Sequence, residues 1–123
     1  MTLRLVIVDN DEAVLELLRL DMRLEGHEIL ATALNGDDGL AACAEHGPDT
    51  LIVDLRLGPG INGLEVARRV RRPGLRVVLY TNYVTPSVVT EATAAGAIVV
   101  EKGNLYALRQ AVLAESGGVS RPS

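Results

Sequence analysis

Five times along the chain a short apolar run ends in polar residues and gives way to a stretch with helical spacing. Strands that alternate with helices in this way are joined by crossovers, which set them side by side and parallel. The runs are Leu3–Val8, Glu28–Leu34, Thr50–Asp54, Leu75–Tyr80 and Ile98–Val100. Between the first two, Val14, Leu15, Leu17, Leu18 and Met22 follow the helical period from Glu12 to Glu25, and Gly26 stops them. Asn35-Gly36-Asp37-Asp38 marks a turn and a cap for a helix reaching about Glu45, closed by Gly47-Pro48. Gly63 opens a third helix with Leu64, Val66, Ala67 and Val70 inward, ended by Pro73-Gly74. Thr85-Pro86 opens a fourth, with Val88, Val89, Ala92 and Ala95, and Leu105, Leu108, Val112 and Leu113 mark the last. The pattern reads as an α/β fold, a (βα)5 unit wound on both faces of a parallel sheet.

A chain of 123 residues fits one domain with one real core, and 48% apolar residues with a net charge of -4 argue against disorder. The same charge argues against a nucleic-acid-binding face on this domain. Arg68, Arg69, Arg71 and Arg72 are the nearest approach to a basic block, and the C-terminal end of a helix accounts for them. Phe and Trp are absent, so Leu, Val, Ile and Ala must build the core. The single cysteine, Cys43, reads as a small buried hydrophobe. MTLRLVIVDN has no signal-peptide pattern and too short an apolar run to span a membrane, so a cytoplasmic protein is expected. Ser116 to Ser123 is polar and glycine-rich and reads as a tail or linker after a domain of residues 1–115.

In a parallel sheet the C-terminal strand ends share one edge, and ligands of open α/β sheets collect there. That edge would hold Asp9, Asn10 and Asp11 from the first strand, Asp54 from the third, Thr81 from the fourth and Lys102 from the fifth. Asp54 is not needed for packing the apolar strand that it closes. Carboxylates crowded together need a cation, and oxygen ligands without His or Cys point to Mg2+ rather than zinc. A hydroxyl and an ammonium at the rim suit a phosphoryl group, whose oxygens need donors and countercharge. No GxxxxGK[ST] nucleotide loop occurs. A flavodoxin-type enzyme is disfavoured, because the first loop carries carboxylates where a flavin phosphate needs Ser, Thr and Gly donors.

Taken together, these positions resemble the receiver (CheY-like) domain of two-component response regulators, over Leu3 to Leu113. The resemblance implies a flavodoxin-like sheet of strand order 2-1-3-4-5. It implies that Asp54, in LIVDLRLGPGINGLEV, accepts a phosphoryl group from a histidine kinase or phosphotransfer protein. Asp9, Asp54, the backbone carbonyl of Arg56 and the side-chain oxygen of Asn10 would hold Mg2+, while Thr81 and Lys102 would contact the phosphoryl group. Such a domain is a phosphoacceptor taking part in its own phosphorylation and dephosphorylation, not an enzyme for a separate substrate. The family's partners imply a C-terminal output domain, most commonly DNA-binding, and a homodimer through the face of the fourth and fifth helices.

Four departures from the family pattern stand out. Asn10 replaces the second acidic residue, and Asp11 beside it is expected to cap a helix instead. Pro59 and Gly63 lie one residue late in the loop after Asp54. Val99 holds the place of the family's aromatic switch, which leaves Tyr80 or Tyr83 to supply a moving ring. Gly103 stands where many members have proline after the lysine. The weakened metal site raises an alternative, a pseudo-receiver acting as a phosphorylation-independent interaction or dimerisation module.

Overall fold

The computed structural model describes residues 2–70 and 72–114, so the 116–123 tail and Arg71 lie outside the described residues. The elements alternate as β1 (Arg4–Val8), α1 (Glu12–Leu24), β2 (Glu28–Ala33), α2 (Gly36–His46), β3 (Thr50–Val53), α3 (Gly63–Val70), β4 (Arg76–Thr81), α4 (Pro86–Ala94), β5 (Ala97–Glu101) and α5 (Leu105–Leu113). All strand pairs are parallel in the order β2-β1-β3-β4-β5, as the resemblance implied. Among the described residues no helix is long and apolar enough to cross a membrane.

Side chains alternate across each strand, and the alternation sorts the core into two layers. Val6, Val8, Leu51, Val53, Val77 and Leu79 point to α2, α3 and α4, where Cys43, Val66, Ala67 and Ala92 meet them. Leu5, Ile7, Ile52, Val78, Tyr80 and Val100 point the other way, against Leu15, Leu18 and Met22 of α1 and Leu108 and Val112 of α5. Cys43 is buried as expected, and burial pushes its thiol pKa up to about 11. The central strands β1 and β3 are almost wholly buried, and each fully buried Leu or Ile contributes about 2 to 3 kcal/mol.

Helix ends follow local chemistry. Asp11, Asn35, Thr85 and Asn104 each place a side-chain oxygen on a main-chain N–H of the following turn. Gly47, at φ 56°, ends α2 in the left-handed conformation.

Three of the apolar residues at helical spacing are exposed, not buried. Leu17, Val89 and Leu113 are 49%, 40% and 47% exposed. In α1 the place is taken by Asp21, buried because Arg109 of α5 donates to both of its carboxylate oxygens.

At the opposite end of the sheet from Asp54, His27 is buried and its Nδ1 accepts the Leu3 N–H at 3.1 Å. Burial holds its pKa below the ordinary 6.5, against the opposing pull of Glu25. The neutral ring therefore supports the fold fully above pH 6.5, and that support is lost as pH falls from 6.5 through the lowered folded value. Urea titrations should show unfolding free energy declining across this window in the wild type, with a shallower decline in His27→Gln.

Candidate functional site

The site is assembled from three strand ends. The Asp9 N–H donates to the Ala33 carbonyl at 3.1 Å and the Asp54 N–H to the Val8 carbonyl at 3.0 Å, so sheet pairing runs right up to both carboxylates. Both side chains are buried, at 2% and 5% exposure. Asp9 Oδ1 accepts the Asp11 N–H at 2.9 Å, and Asp54 Oδ1 accepts the Leu55 N–H at 2.7 Å. The remaining oxygens converge on one ammonium: Lys102 Nζ lies 2.8 Å from Asp9 Oδ2 and 2.9 Å from Asp54 Oδ2.

Lys102 is the only lysine in the chain. Its main-chain N–H donates to the Thr81 carbonyl at 3.0 Å, which ties the end of β5 to the end of β4. Thr81 is fully buried, and its Oγ1 accepts the Tyr83 N–H at 3.1 Å. Gly63, where α3 begins, closes the floor. Its N–H donates to the Leu55 carbonyl at 2.9 Å, and a Cβ there would lie 2.0 Å from the Asp54 carbonyl oxygen. No side chain fits at that position.

The structure thus brings Asp9, Asp54 and Lys102 into direct contact and sets Thr81 beside them through the Lys102 backbone. Asn10 is exposed, and Asp11 turns away to cap α1, its Oδ1 accepting the Ala13 N–H at 2.9 Å, as expected. Arg56 is exposed in the loop beyond Asp54, its guanidinium 4.0 Å from the centre of the Tyr83 ring. Tyr80 requires a correction. It is not a ring free to swing at the edge: it is 3% exposed in the core under α1 and α5, and its hydroxyl accepts the Gly103 N–H at 2.9 Å. Tyr83, 42% exposed, is the ring at the rim. Sequence reasoning missed the Leu55 and Gly103 amides, which as backbone groups leave no mark in residue identity. Gly63 is expected from the sequence to open the third helix, as it does, but its close approach to the Asp54 carbonyl leaves no mark there.

Two carboxylates sharing one ammonium leave a surplus negative charge in a nearly closed place. Burial raises the Asp9 pKa above 3.8, despite opposing hydrogen bonds from Lys102 and the Asp11 amide. Burial works against the Lys102 ammonium too, but its hydrogen bonds to Asp9 and Asp54 prevail and raise its pKa above 10.5. Surplus charge on hard oxygen donors fits Mg2+. Among the described residues no group of three or more His, Cys, Asp or Glu forms a metal cage, so the charged ligands available are Asp9 and Asp54 alone.

The family model for the response regulator receiver domain matches residues 5–112. The transcriptional regulatory protein AfsQ1 of Streptomyces coelicolor is 41% identical over 78 residues, covering 63% of this chain and 34% of that protein. The chain therefore spans about a third of that relative's length. Among solved structures, the response regulator TrrA of Thermotoga maritima, in complex with Mg2+ and beryllofluoride, is 33% identical with a TM-score of 0.79, covering 89% of this chain and 96% of that one. A LuxR-family two-component response regulator from Aurantimonas is 26% identical with a TM-score of 0.82, covering 94% and 89%.

The raised Asp9 pKa has a direction that a stability measurement reads. The protonated form is the one burial favours, so the stability it brings is present below 3.8 and lost as pH rises through the folded value. In metal-free protein Asp9→Asn should therefore be more stable than wild type at pH 7. Its advantage in urea should vanish as pH falls through the raised value towards 3.8.

Proposed function

The chain belongs to the response regulator receiver domain family, and from that premise we propose that it accepts a phosphoryl group on Asp54 from a histidine kinase or phosphotransfer protein. The observation that carries this reading is the Lys102 ammonium held 2.8 and 2.9 Å from the Asp9 and Asp54 carboxylates. In the transfer, a carboxylate oxygen of Asp54 attacks the phosphorus of a phosphohistidine. The P–O bond forms as the P–N bond breaks, and the electron pair leaves with the imidazole nitrogen, giving an acyl phosphate. The Leu55 N–H and the Lys102 ammonium orient the attacking carboxylate. Lys102 then pairs with the incoming phosphoryl oxygens, and the Thr81 hydroxyl, buried beside it, donates to one of them. The Asp9 and Asp54 carboxylates and the Arg56 carbonyl would hold Mg2+, which would supply countercharge for the transferred group.

The output follows from what the site holds in place. Thr81 fixes the Tyr83 amide, so a hydroxyl drawn towards a phosphoryl group releases the loop leading to α4. Tyr83 is the ring at the rim that can respond. Val89, Ile98 and Tyr106, 40%, 37% and 71% exposed on α4, β5 and α5, give that face the apolar character of a docking or dimer surface. The relative AfsQ1 is a transcriptional regulatory protein about three times as long as the matched stretch, which supports a C-terminal output domain, DNA-binding in the simplest case. A cytoplasmic location suits a kinase partner of this kind.

One observation favours a second reading, a phosphorylation-independent interaction module. Asn10 is neutral and exposed where a metal-facing carboxylate would serve best. Beryllofluoride with Mg2+ separates the two. We expect an adduct that is absent in Asp54→Asn, and a phosphorylation rate with acetyl phosphate about 10- to 100-fold lower in Lys102→Ala, as befits a lost charge-assisted contact. A protein with no Mg2+ response and an unchanged oligomeric state would instead be the interaction module. Asn10→Asp, which restores a carboxylate, should tighten Mg2+ binding several-fold by tryptophan-free methods such as calorimetry.

A further inference from the structure

Lys102 is carried by the turn that leaves β5, an edge strand with β4 as its one neighbour. Two main-chain N–H groups of that turn are held by the end of β4, and a third, from Asn104, closes the turn on the Glu101 carbonyl at 3.1 Å. The Lys102 N–H is held by the Thr81 carbonyl, and the Gly103 N–H by the Tyr80 phenol oxygen at 2.9 Å. Thr81 and Tyr80 are adjacent residues of one strand, so the turn is tied by the strand's backbone and by a side chain on its opposite face.

The phenol's position is set by packing. Tyr80 lies at 3% exposure among Val78, Val100, Leu108 and Val112, in a chain with no Phe or Trp. An aliphatic side chain would suit this aliphatic layer. A buried hydroxyl costs free energy unless it is bonded, and here it meets a main-chain donor next to the site's only ammonium. Gly103 stands at φ +94°, in the region that favours glycine, although a Cβ there would meet open space. Backbone direction, not room, is what glycine supplies at this turn.

We propose that Tyr80 is a positioning residue for Lys102: its core-held phenol oxygen fixes the Gly103 amide and so the turn that delivers the ammonium to Asp9 and Asp54. This rests on the phosphoacceptor reading of Asp54 for its functional consequence, though not for the link itself. Lys102 reaches its partners through a flexible stem, and a defined turn reduces the conformational freedom lost when it binds.

The test is Tyr80→Phe, which keeps the ring and removes the oxygen. With a single lysine in the chain, 15N-lysine labelling gives one side-chain signal. In metal-free protein that signal should shift in Tyr80→Phe, and the Gly103 amide should exchange several-fold faster. Acyl phosphate formation from acetyl phosphate with Mg2+ should fall about three- to ten-fold, the scale of one lost hydrogen bond. In a Lys102→Ala background, the same substitution should leave the rate unchanged, because Tyr80 acts only through the lysine. A wild-type rate in Tyr80→Phe, or an equal loss in the Lys102→Ala background, overturns the proposal. So does a Gly103 amide that is unprotected in the wild type, a measurement that needs no variant to fold. Failure of the phosphoacceptor reading looks different: the wild type itself forms no Asp54-dependent adduct, while the lysine signal and the amide still report on the link.

Discussion

One ammonium holds the functional edge of this domain together. Asp9 and Asp54 end neighbouring central strands, and both carboxylates sit in a place that water scarcely reaches. Left alone, their mutual repulsion would add to the cost of burying them. Lys102 offsets that cost from the far side of β4, because it closes the edge strand and has a long enough side chain to cross the intervening strand end. The geometry then dictates the rest. Thr81, at the end of the strand that is crossed, is buried beneath the span, and Gly63 must lack a side chain because the main chain of α3 abuts Asp54.

This edge is maintained at the expense of stability. A buried carboxylate whose pKa is raised by desolvation works against folding at neutral pH. The core tolerates it because its two layers are otherwise apolar, and the central strands are closed on both faces by helices. The Asp21–Arg109 pair differs in kind. It joins α1 to α5 on the layer away from Asp54's loop, and its guanidinium, which bonds both Asp21 oxygens, also lies 3.8 Å from Glu25 and is partly exposed, so water shares in screening these charges. At the Asp9–Asp54 edge two buried carboxylates share one ammonium, and the imbalance is what a cation or a phosphoryl group can use.

Much of this was legible in the residue order. Strand runs ending in Asp9, Asp54, Thr81 and Lys102 were found within a residue or two of their observed ends, since buried parallel strands leave continuous apolar stretches. Spacing did not resolve which apolar helix positions are buried, or which way the residue before Thr81 faces. Leu17 fits an apolar stripe as well as its neighbours do, and nothing local shows that Asp21 has a partner 88 residues away. Tyr80 beside Thr81 looks like a rim aromatic until strand alternation is applied. Two residues beyond Val78, it must share Val78's face and point into the core. The main-chain donors at Leu55 and Gly103 could not be read at all, because every residue but proline offers the same N–H.

The end of β4 is where these threads meet. Thr81 and Tyr80 face opposite layers, and each makes a polar contact to a main-chain N–H of a different loop: Tyr83 on the way to α4, and Gly103 on the way to α5. The backbone of Thr81 also holds Lys102. On the proposed reading, a phosphoryl group on Asp54 draws on Lys102 and Thr81 together, and both loops are attached to the strand residue pair it pulls on. Exposed Tyr83 stacks under Arg56 from the loop after Asp54, which adds a third attachment on the α4 side. A change of a fraction of an ångström at the carboxylate therefore has mechanical routes to α4 and α5, the two helices that flank β5 and carry the exposed Val89 and Tyr106. On that reading, a chain with Val99 in place of an aromatic switch would couple its edge to its surface through the contacts at the end of β4.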